Sequence, residues 1–369
     1  MDLDTAGLRR ARARALLLSG SGSRDLGVVV RTVVGVQAQD RAAAALAIRV
    51  RGCRSTAREV AAACGEGGPL VLTWSLRGTR HLHHVEDVRW LLAVAGPSFA
   101  AGSPARERQL GIAGDAGDRA VGAVRDAVRR RGPLTRPQVK EVLARRGVDA
   151  SGQAPIHVLR RAALQGVLCV VPTEEGQETY VPLDGRAPPR PPVAREAALG
   201  ELARRFLHGY GPAAPEDLAA WSGLPRRAAA DAWAAIGDEL TEVAVPGGAA
   251  WILTTDVRPL RAAARRPVPV RLLPAFDPLL LGYADRETLV PRIHARRVNA
   301  GGGMIRPTVL TDEGIVGTWS PRRDGGDARI EVTPFGALPA ATRAAIEGEA
   351  ERASRMQGRP SPAGRPRHS

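Results

Sequence analysis

The amino-acid sequence predicts an α+β fold. Apolar residues recur at helical spacing over most of the chain up to residue 266, and short runs that alternate apolar and polar residues follow these helices. The same order, several helices and then a small hairpin, occurs three times. After residue 266 the chain changes to short β-like runs followed by one more helix.

The first occurrence covers residues 1–115. A hairpin is predicted at 69–84, where apolar and polar residues alternate around a glycine, and a helix at 85–96 follows it. Helical spacing predicts four earlier helices, at 6–18, 24–34, 41–51 and 56–65. Helices followed by a small hairpin are the outline of a winged helix-turn-helix.

The second and third occurrences, at 116–184 and 194–262, match each other in detail. Each has a long helix, a turn (GPLT or GPAA), two short helices and a hairpin. Pro137 and Pro215 lie near the start of the helix after the turn, where a missing N–H costs nothing. We therefore predict two tandem winged helices, joined by the stiff Pro/Arg-rich linker 185–195.

Residues 266–356 are predicted to form a small β-rich domain that ends in a helix. Within it, residues 298–310 have the pattern of a hairpin with a glycine-rich tip. The tail at 357–369 is rich in Pro, Gly, Arg and Ser, and we expect it to be disordered.

Composition favours nucleic acid as the partner. The formal net charge is +15, and nearly all of the positive charge is arginine, since Lys140 is the only lysine. Phosphate-backbone binding is the commonest reason for such an excess, ahead of anionic membrane surfaces, and no amphipathic anchor or lipidation motif accompanies the arginines. No segment approaches the roughly 20 apolar residues of a membrane helix.

The N-terminus and the cysteines predict a cytoplasmic protein associated with the nucleoid. The first residues carry acids and arginines where a secretory signal would have a long apolar region. Cys53, Cys64 and Cys169 give neither a disulfide framework nor paired zinc-ligand spacing, so we expect buried thiols in a reducing compartment.

Winged helices bind duplex DNA through the third helix and the wing. Arg160 and Arg161 in one third helix, and Arg226 and Arg227 in the other, are candidate phosphate contacts, although a solvated helix face explains any single one equally well. Winged helices also bind proteins, and a non-catalytic DNA-binding transcriptional regulator is the main alternative to an enzyme. A regulator should bind a preferred operator, usually as a two-fold dimer.

The stretch GVQAQD at 35–40 places two amides close together between two predicted helices. In an extended link, Gln37 and Gln39 point to one side and Ala38 points back. Two amides can hold and orient a water molecule but cannot deprotonate it strongly. This suits hydrolysis of the glycosidic bond of an N7-alkylated guanine, whose cationic base leaves without a general acid. Solvated or helix-capping glutamines are the commoner explanation of such a pair.

The chain resembles the winged-helix DNA glycosylases of the AlkZ/YcaQ type, and within them the AlkZ branch. The resemblance rests on the Gln-aliphatic-Gln motif in GVQAQD and covers nearly the whole chain; Gln39 indicates the branch, because the other branch has an acid there. Three further stretches also resemble this family and occur in the expected order: LTWSLRGTRHL (72–82), LLPAFDPLLLGYADR (272–286) and RPTVLTDEGIVGTWS (306–320).

The resemblance implies three winged-helix units and a β-rich domain in a C-shaped body around duplex DNA. It implies removal of N7-alkylguanine adducts, unhooking of interstrand crosslinks, and self-resistance to a crosslinking natural product such as azinomycin. Gln37 and Gln39 are then the catalytic residues. We expect a monomeric, monofunctional enzyme without metal, cofactor or lyase activity, since Lys140 lies in a predicted structural helix.

The histidine cluster and Asp277 are predicted to have neither a metal-binding nor a catalytic role. His81, His83 and His84 lack ligand-spaced partners, so exposed or phosphate-touching histidines are favoured over a zinc site. Asp277 precedes a proline and is predicted to be structural.

For two segments the sequence leaves a structural and a functional explanation open. Trp74 and Arg77 are either a core aromatic beside a surface charge or part of the floor of the site, and Arg77 is a candidate DNA contact. The hairpin at 298–310 is either a flexible loop or a minor-groove wedge, with Met304 and Ile305 at its tip and Arg306 on phosphate.

Overall fold

The computed structural model describes residues 2–20, 24–100, 104–173, 176–189, 191, 193–324 and 327–357. The predicted disordered tail lies outside the described residues except for Gln357, which ends the last helix. The fold combines helices with antiparallel sheets, so the predicted α+β class is confirmed.

The N-terminal part has the predicted order of helices and hairpin. Its elements are α1 (Thr5–Ala15), α2 (Leu26–Thr32), β1 (Val36–Gln37), α3 (Arg41–Arg49), α4 (Ala57–Ala62), β2 (Leu70–Trp74), β3 (Arg80–His84) and α5 (Val88–Phe99). A 3-10 turn, Leu76–Gly78, joins β2 to β3.

The next two parts repeat the same plan. The first has α6 (Pro104–Gln109), α7 (Asp115–Arg131), β4 (Leu134–Thr135), α8 (Arg136–Ala144), α9 (Ala154–Leu164), β5 (Leu168–Pro172) and β6 (Glu178–Pro182). The second has α10 (Arg195–Tyr210), α11 (Pro215–Ser222), α12 (Arg226–Ala234), β7 (Leu240–Val245), β8 (Gly248–Leu253) and α13 (Val257–Ala263).

The two matching prolines lie in the first turns of α8 and α11, as predicted. Thr135 and Gln138 form a capping box around Pro137, in which the Thr135 backbone N–H donates to Gln138 Oε1 at 2.8 Å. At Pro215 the Ala214 backbone N–H donates to Asp217 at 3.0 Å. Both turns therefore start a helix by satisfying backbone donors that the helix itself leaves unpaired.

The first two hairpins belong to one sheet. Its strand order is β1-β3-β2-β5-β6-β4, and the link between the two halves is an antiparallel pairing at Leu72 and Val170. The predicted boundary between residues 115 and 116 falls after the first residue of α7, and the sheet includes strands from both sides of this boundary. The winged-helix identity of the three units, their limits and the C-shaped outline stay predictions.

The C-terminal part is built on a four-stranded antiparallel sheet of order β14-β13-β12-β9. Its elements are β9 (Arg271–Leu273), α14 (Pro278–Leu281), α15 (Ala295–Val298), β10 (Asn299–Gly301), β11 (Met304–Ile305), β12 (Thr308–Thr311), β13 (Gly314–Asp324), β14 (Asp327–Pro334) and α16 (Ala340–Gln357). The short strands and the final helix that the sequence predicts for this part are confirmed. The small hairpin β10-β11 forms a separate sheet.

A buried ion pair connects the N-terminal and C-terminal parts. The guanidinium of Arg51 donates to both carboxylate oxygens of Asp277, at 2.8 and 2.9 Å, and neither side chain is exposed. Asp277 also caps α14 by accepting from the backbone of Leu279 at 2.9 Å. The structural role predicted for Asp277 is confirmed, and this pair holds α14 against the first helices. No helix within the described ranges is both long and apolar enough to span a membrane.

Candidate functional site

Gln37 ends β1, the edge strand of the six-stranded sheet, and Gln39 lies two residues beyond the strand. β1 pairs with β3 through Val36 with Leu82 and Gln37 with His81. Val36 and Ala38 are buried, whereas Gln37 is half-buried and Gln39 is exposed. Burial thus alternates along this segment, as it does along an extended chain, and Ala38 packs into the core. The burial of Ala38 between two more exposed glutamines matches the predicted alternation, and a shared direction of the two amides stays a prediction.

Both amide oxygens are held by hydrogen bonds. Arg77 Nη2 donates to Oε1 of Gln37, and the backbone N–H of Arg80 donates to Oε1 of Gln39 at 3.2 Å. A carbonyl oxygen has two lone pairs, so each retains one that can accept from a water molecule. Asp40, the next residue, caps α3 by accepting from the backbone of Ala42 and Ala43 at 2.9 and 3.1 Å. The pair is thus fixed by sheet pairing on one side and by a helix start on the other.

Gln37 lines a cleft of about 450 Å³ between the N-terminal and C-terminal parts. Arg77 and Thr79 border it from the connection between β2 and β3. The C-terminal part contributes Phe276 and Leu281 near α14, Arg286, and the hairpin β10-β11. Gln39 does not line the cleft. None of the described residues that line it carries a carboxylate, so these residues offer no general acid or base.

Arg77 takes an unusual conformation at the floor of this cleft. Its backbone is left-handed, with φ of 55°, and the half-buried side chain contacts Gly223 at the end of α11. A Cβ at Gly223 would lie 2.7 Å from Arg77 Cγ, so only glycine fits there. Burial lowers the pKa of Arg77. Of the two alternatives for Arg77, the structure favours a part of the floor over an ordinary surface charge.

Trp74 is a core residue and is 5% exposed. The guanidinium of Arg80 lies 5.3 Å from the centre of its ring. The core alternative for Trp74 is therefore the one that the structure shows.

The hairpin β10-β11 brings Met304 to the same cleft as Gln37. Met304 is 48% exposed, whereas Ile305 is only 4% exposed and packs into the core. The expectation of two apolar residues at an exposed tip is thus wrong for Ile305. Arg306 is exposed and donates to the carbonyl of Arg297 at 3.3 Å.

The four arginines of the predicted recognition helices differ in their surroundings. Arg160 donates to the carbonyls of Gly78 and Phe99, at 3.2 and 2.8 Å, and Arg161 pairs with Asp118 at 2.7 Å. Arg226 and Arg227 are exposed at the start of α12. DNA contact by each of the four stays a prediction, and Arg160 already has a structural role next to Arg77.

The histidines of β3 are not exposed, contrary to expectation. His81 is 6% exposed and His83 is 1% exposed, because β3 lies inside the sheet between β1 and β2. His83 Nε2 lies 2.7 Å from Ser75 Oγ, and His81 Nδ1 lies 3.1 Å from the carbonyl of Thr79. Burial lowers the pKa of His83 to about 4. Within the described residues there is no group of three possible metal ligands.

The sequence pattern alone does not single out several residues of the cleft, among them Phe276, Arg286 and Asn299. Phe276 has a left-handed backbone, with φ of 58°, just before Asp277. Arg286 ends the stretch LLPAFDPLLLGYADR and Asn299 begins the hairpin, so attention to the ends of those stretches was the available signal.

Comparison with known proteins gives a consistent result. A family model described as DNA glycosylase AlkZ-like matches residues 30–356. An interstrand DNA cross-link repair glycosylase of Streptomyces sahachiroi is 30% identical over 357 residues, which cover 89% of this chain and 90% of that protein. The solved structure of the Streptomyces sahachiroi DNA glycosylase AlkZ is similar with a TM-score of 0.82 and 26% identity, over 97% of this chain and 98% of that one. This chain belongs to the AlkZ-like family of DNA glycosylases.

Proposed function

We propose that this protein is a monofunctional DNA glycosylase that hydrolyses the bond between deoxyribose and N7-alkylated guanine, including guanines joined in interstrand crosslinks. The S. sahachiroi relative is named an interstrand DNA cross-link repair glycosylase, which supports this substrate class. The protein acts on duplex DNA as a monomer in the cytoplasm, at the nucleoid, and gives resistance to a crosslinking natural product.

One observation carries the proposal: Gln37, at the end of an edge strand and two residues before Gln39, lines a cleft whose described walls hold no carboxylate. Hydrolysis of an ordinary glycoside needs an acid to protonate the leaving oxygen. An N7-alkylated guanine carries its positive charge already and leaves as a neutral base. A cleft without an acid therefore fits this leaving group.

The amides position the attacking water. Gln37 and Gln39 each have one Oε1 lone pair engaged by the protein and one available. A water molecule that donates to both oxygens presents its own lone pair to the anomeric carbon. As the C–N bond breaks, positive charge develops on the sugar and the oriented water adds to it. The water then loses its proton to solvent. Positioning and oriented dipoles are among the largest contributions that a protein can make to such a step.

The proposal is tested with a duplex that carries one N7-methylguanine, followed by hot alkali to reveal abasic sites. We expect excision by the wild type and a loss of about 100-fold or more in Gln37→Ala and in Gln39→Ala, since one removed polar contact in such a site costs this much. Binding to the duplex, measured by fluorescence anisotropy, should persist. Before alkali the strand should remain intact, because no lyase step is proposed.

Gln109→Ala is the matched control. Gln109 is an exposed glutamine whose Oε1 also accepts from an arginine, Arg106, but it lies outside the cleft. This variant should excise at the wild-type rate. Absence of excision by the wild type, or wild-type rates in both cleft variants, would reject the proposed mechanism.

A further inference from the structure

The cleft beside Gln37 contains two arginines with neutral partners. Arg77 donates to Gln37, and Arg286 Nη1 donates to Oδ1 of Asn299 at 3.3 Å. Both side chains line the cleft and both are half-buried. In the part of the chain that the structure describes, neither guanidinium forms a salt bridge with a carboxylate.

Two half-buried guanidinium groups without a counter-ion destabilise the protein when no ligand is bound. A cation that is withdrawn from water without a counter-ion loses solvation that neutral partners replace only in part. Burial lowers the pKa of Arg286, and burial together with the charge of Arg286 lowers that of Arg77, against an opposing effect of Tyr210. The Nε atom of Arg286 is buried and has no hydrogen-bond partner within the described ranges. Elsewhere the chain neutralises its buried Arg51 with Asp277. Among the described residues, the two cationic groups of the cleft therefore have no anionic partner.

The substrate class adds a second reason for an anion here. This step rests on the function proposed above. An N7-alkylated guanine is cationic, and two nearby guanidinium groups would repel it unless negative charge enters the cleft with it. Duplex DNA carries that charge on its backbone, and guanidinium groups bind phosphate oxygens through short charge-assisted hydrogen bonds.

We propose that Arg77 and Arg286 form a subsite for one backbone phosphodiester of the strand that carries the lesion. Asn299, at the start of the hairpin, contributes an amide to the same wall. The hairpin tip is open, since a Cβ at Gly301, Gly302 or Gly303 would meet nothing within 4 Å. A phosphate can therefore approach the backbone closely. Bound there, it offsets the charge of both arginines and lies close to the sugar that becomes positive during hydrolysis.

The test replaces phosphates one at a time. Single methylphosphonate linkages, which are uncharged, are placed at each position within three nucleotides of a target guanine in an undamaged duplex. Affinity is measured by fluorescence anisotropy at salt concentrations between about 50 and 200 mM NaCl. The slope of log affinity against log salt concentration then changes by about 0.9 for each phosphate contact that is lost. The proteins are the wild type, Arg286→Gln, Arg286→Lys and Arg322→Gln. Arg322 is an exposed control that pairs with Glu331.

Arg286→Gln should lower the salt slope by about one unit and affinity by about tenfold or more. At one position, a methylphosphonate should weaken binding of the duplex by the wild type. The same substitution should not change the affinity of Arg286→Gln. Arg322→Gln should remain sensitive to that linkage. Arg286→Lys should keep the slope while losing part of the discrimination at that linkage, which keeps the test decisive if the glutamine variant does not fold.

Equal sensitivity of wild type and Arg286→Gln at every linkage, or wild-type indifference to all of them, would overturn the subsite. Because the duplex is undamaged and the readout is binding, these results do not depend on base excision. Excision of N7-methylguanine by the same wild-type preparation is measured separately, so a failed glycosylase proposal and a failed phosphate subsite give different results.

Discussion

The guanidinium of Arg77 bonds to the amide oxygen of Gln37 while the stem of the same side chain lies against Gly223. Three segments that are far apart in the sequence thus meet at one side chain. A Cβ at Gly223 would lie 2.7 Å from Cγ and 3.2 Å from Cα of Arg77. Since the Cα belongs to the backbone, Arg77 cannot simply swing away. The end of α11 therefore fixes the position of Arg77, and through it the orientation of the Gln37 amide.

Gly223→Ala should slow excision of N7-methylguanine by about 10- to 100-fold, because small displacements of a positioning group are costly in catalysis. The left-handed backbone at this position adds a stability cost of about 1–2 kcal/mol. Gly147 also has a left-handed backbone, with φ of 76°, but an added Cβ there meets nothing within 4 Å. Gly147→Ala should show this backbone cost without the clash, and with normal excision. Single-turnover excision and urea unfolding measure the two effects, and equal excision rates in the two variants would contradict the positioning role.

Much of the site's local geometry follows from the sequence. Alternation along an extended segment is enough to place Ala38 in the core between the more exposed Gln37 and Gln39, because strand side chains alternate whatever the sheet around them. Proline positions and periodicity likewise give the helices that follow the two matching turns. These are short-range properties of the chain.

What the sequence does not show is which distant segments meet. The pairing of Leu72 with Val170, which joins two hairpins into one sheet, leaves no local signal. The burial of His81 and His83 has the same cause. Alternation of apolar and polar residues predicts a strand with one buried and one exposed face, whereas the rest of the fold can bury both faces of an inner strand. Arg286 enters the cleft through tertiary packing alone.

The buried pair of Arg51 and Asp277 should dominate stability between the N-terminal and C-terminal parts. Asp277→Ala leaves a buried guanidinium without its counter-ion, so we expect a loss of about 3–5 kcal/mol in the free energy of unfolding. Glu331→Ala removes the partner of Arg322, whose side chain is 69% exposed, and should cost about 1 kcal/mol or less. Urea denaturation of both variants makes the comparison. Similar losses in the two would contradict the role assigned to the buried pair.

His83 should make stability depend on pH. Burial lowers its pKa from 6.5 to about 4, so the unfolded chain takes up a proton at a higher pH than the folded one. The stabilisation is complete above about pH 6.5 and is lost as pH falls to about 4. His83→Gln should reduce the slope of unfolding free energy against pH in this window by up to about 1.4 kcal/mol per pH unit.

His208 provides the opposite case. A hydrogen bond with Asp256 raises the pKa of His208, so its contribution is complete below about pH 6.5 and is lost as pH rises through the raised value. His208→Gln should therefore leave the acid window unchanged. Urea unfolding at several pH values between 4 and 8 distinguishes the two variants. A wild-type slope in His83→Gln would show that the acid loss has another origin.

Substitutions at the two apolar residues of the hairpin should have different effects, one on excision and the other on stability. Met304 is 48% exposed at the cleft, whereas its neighbour Ile305 is 4% exposed. If the hairpin acts as a wedge in the minor groove, Met304→Asp places a charge beside the bases and should abolish excision with almost no change in stability. Ile305→Ala leaves a cavity in the core and should cost about 2–5 kcal/mol. Both are compared by single-turnover excision at a temperature where each variant is folded. Normal excision by Met304→Asp would reject the wedge and leave the hairpin as a loop that borders the cleft.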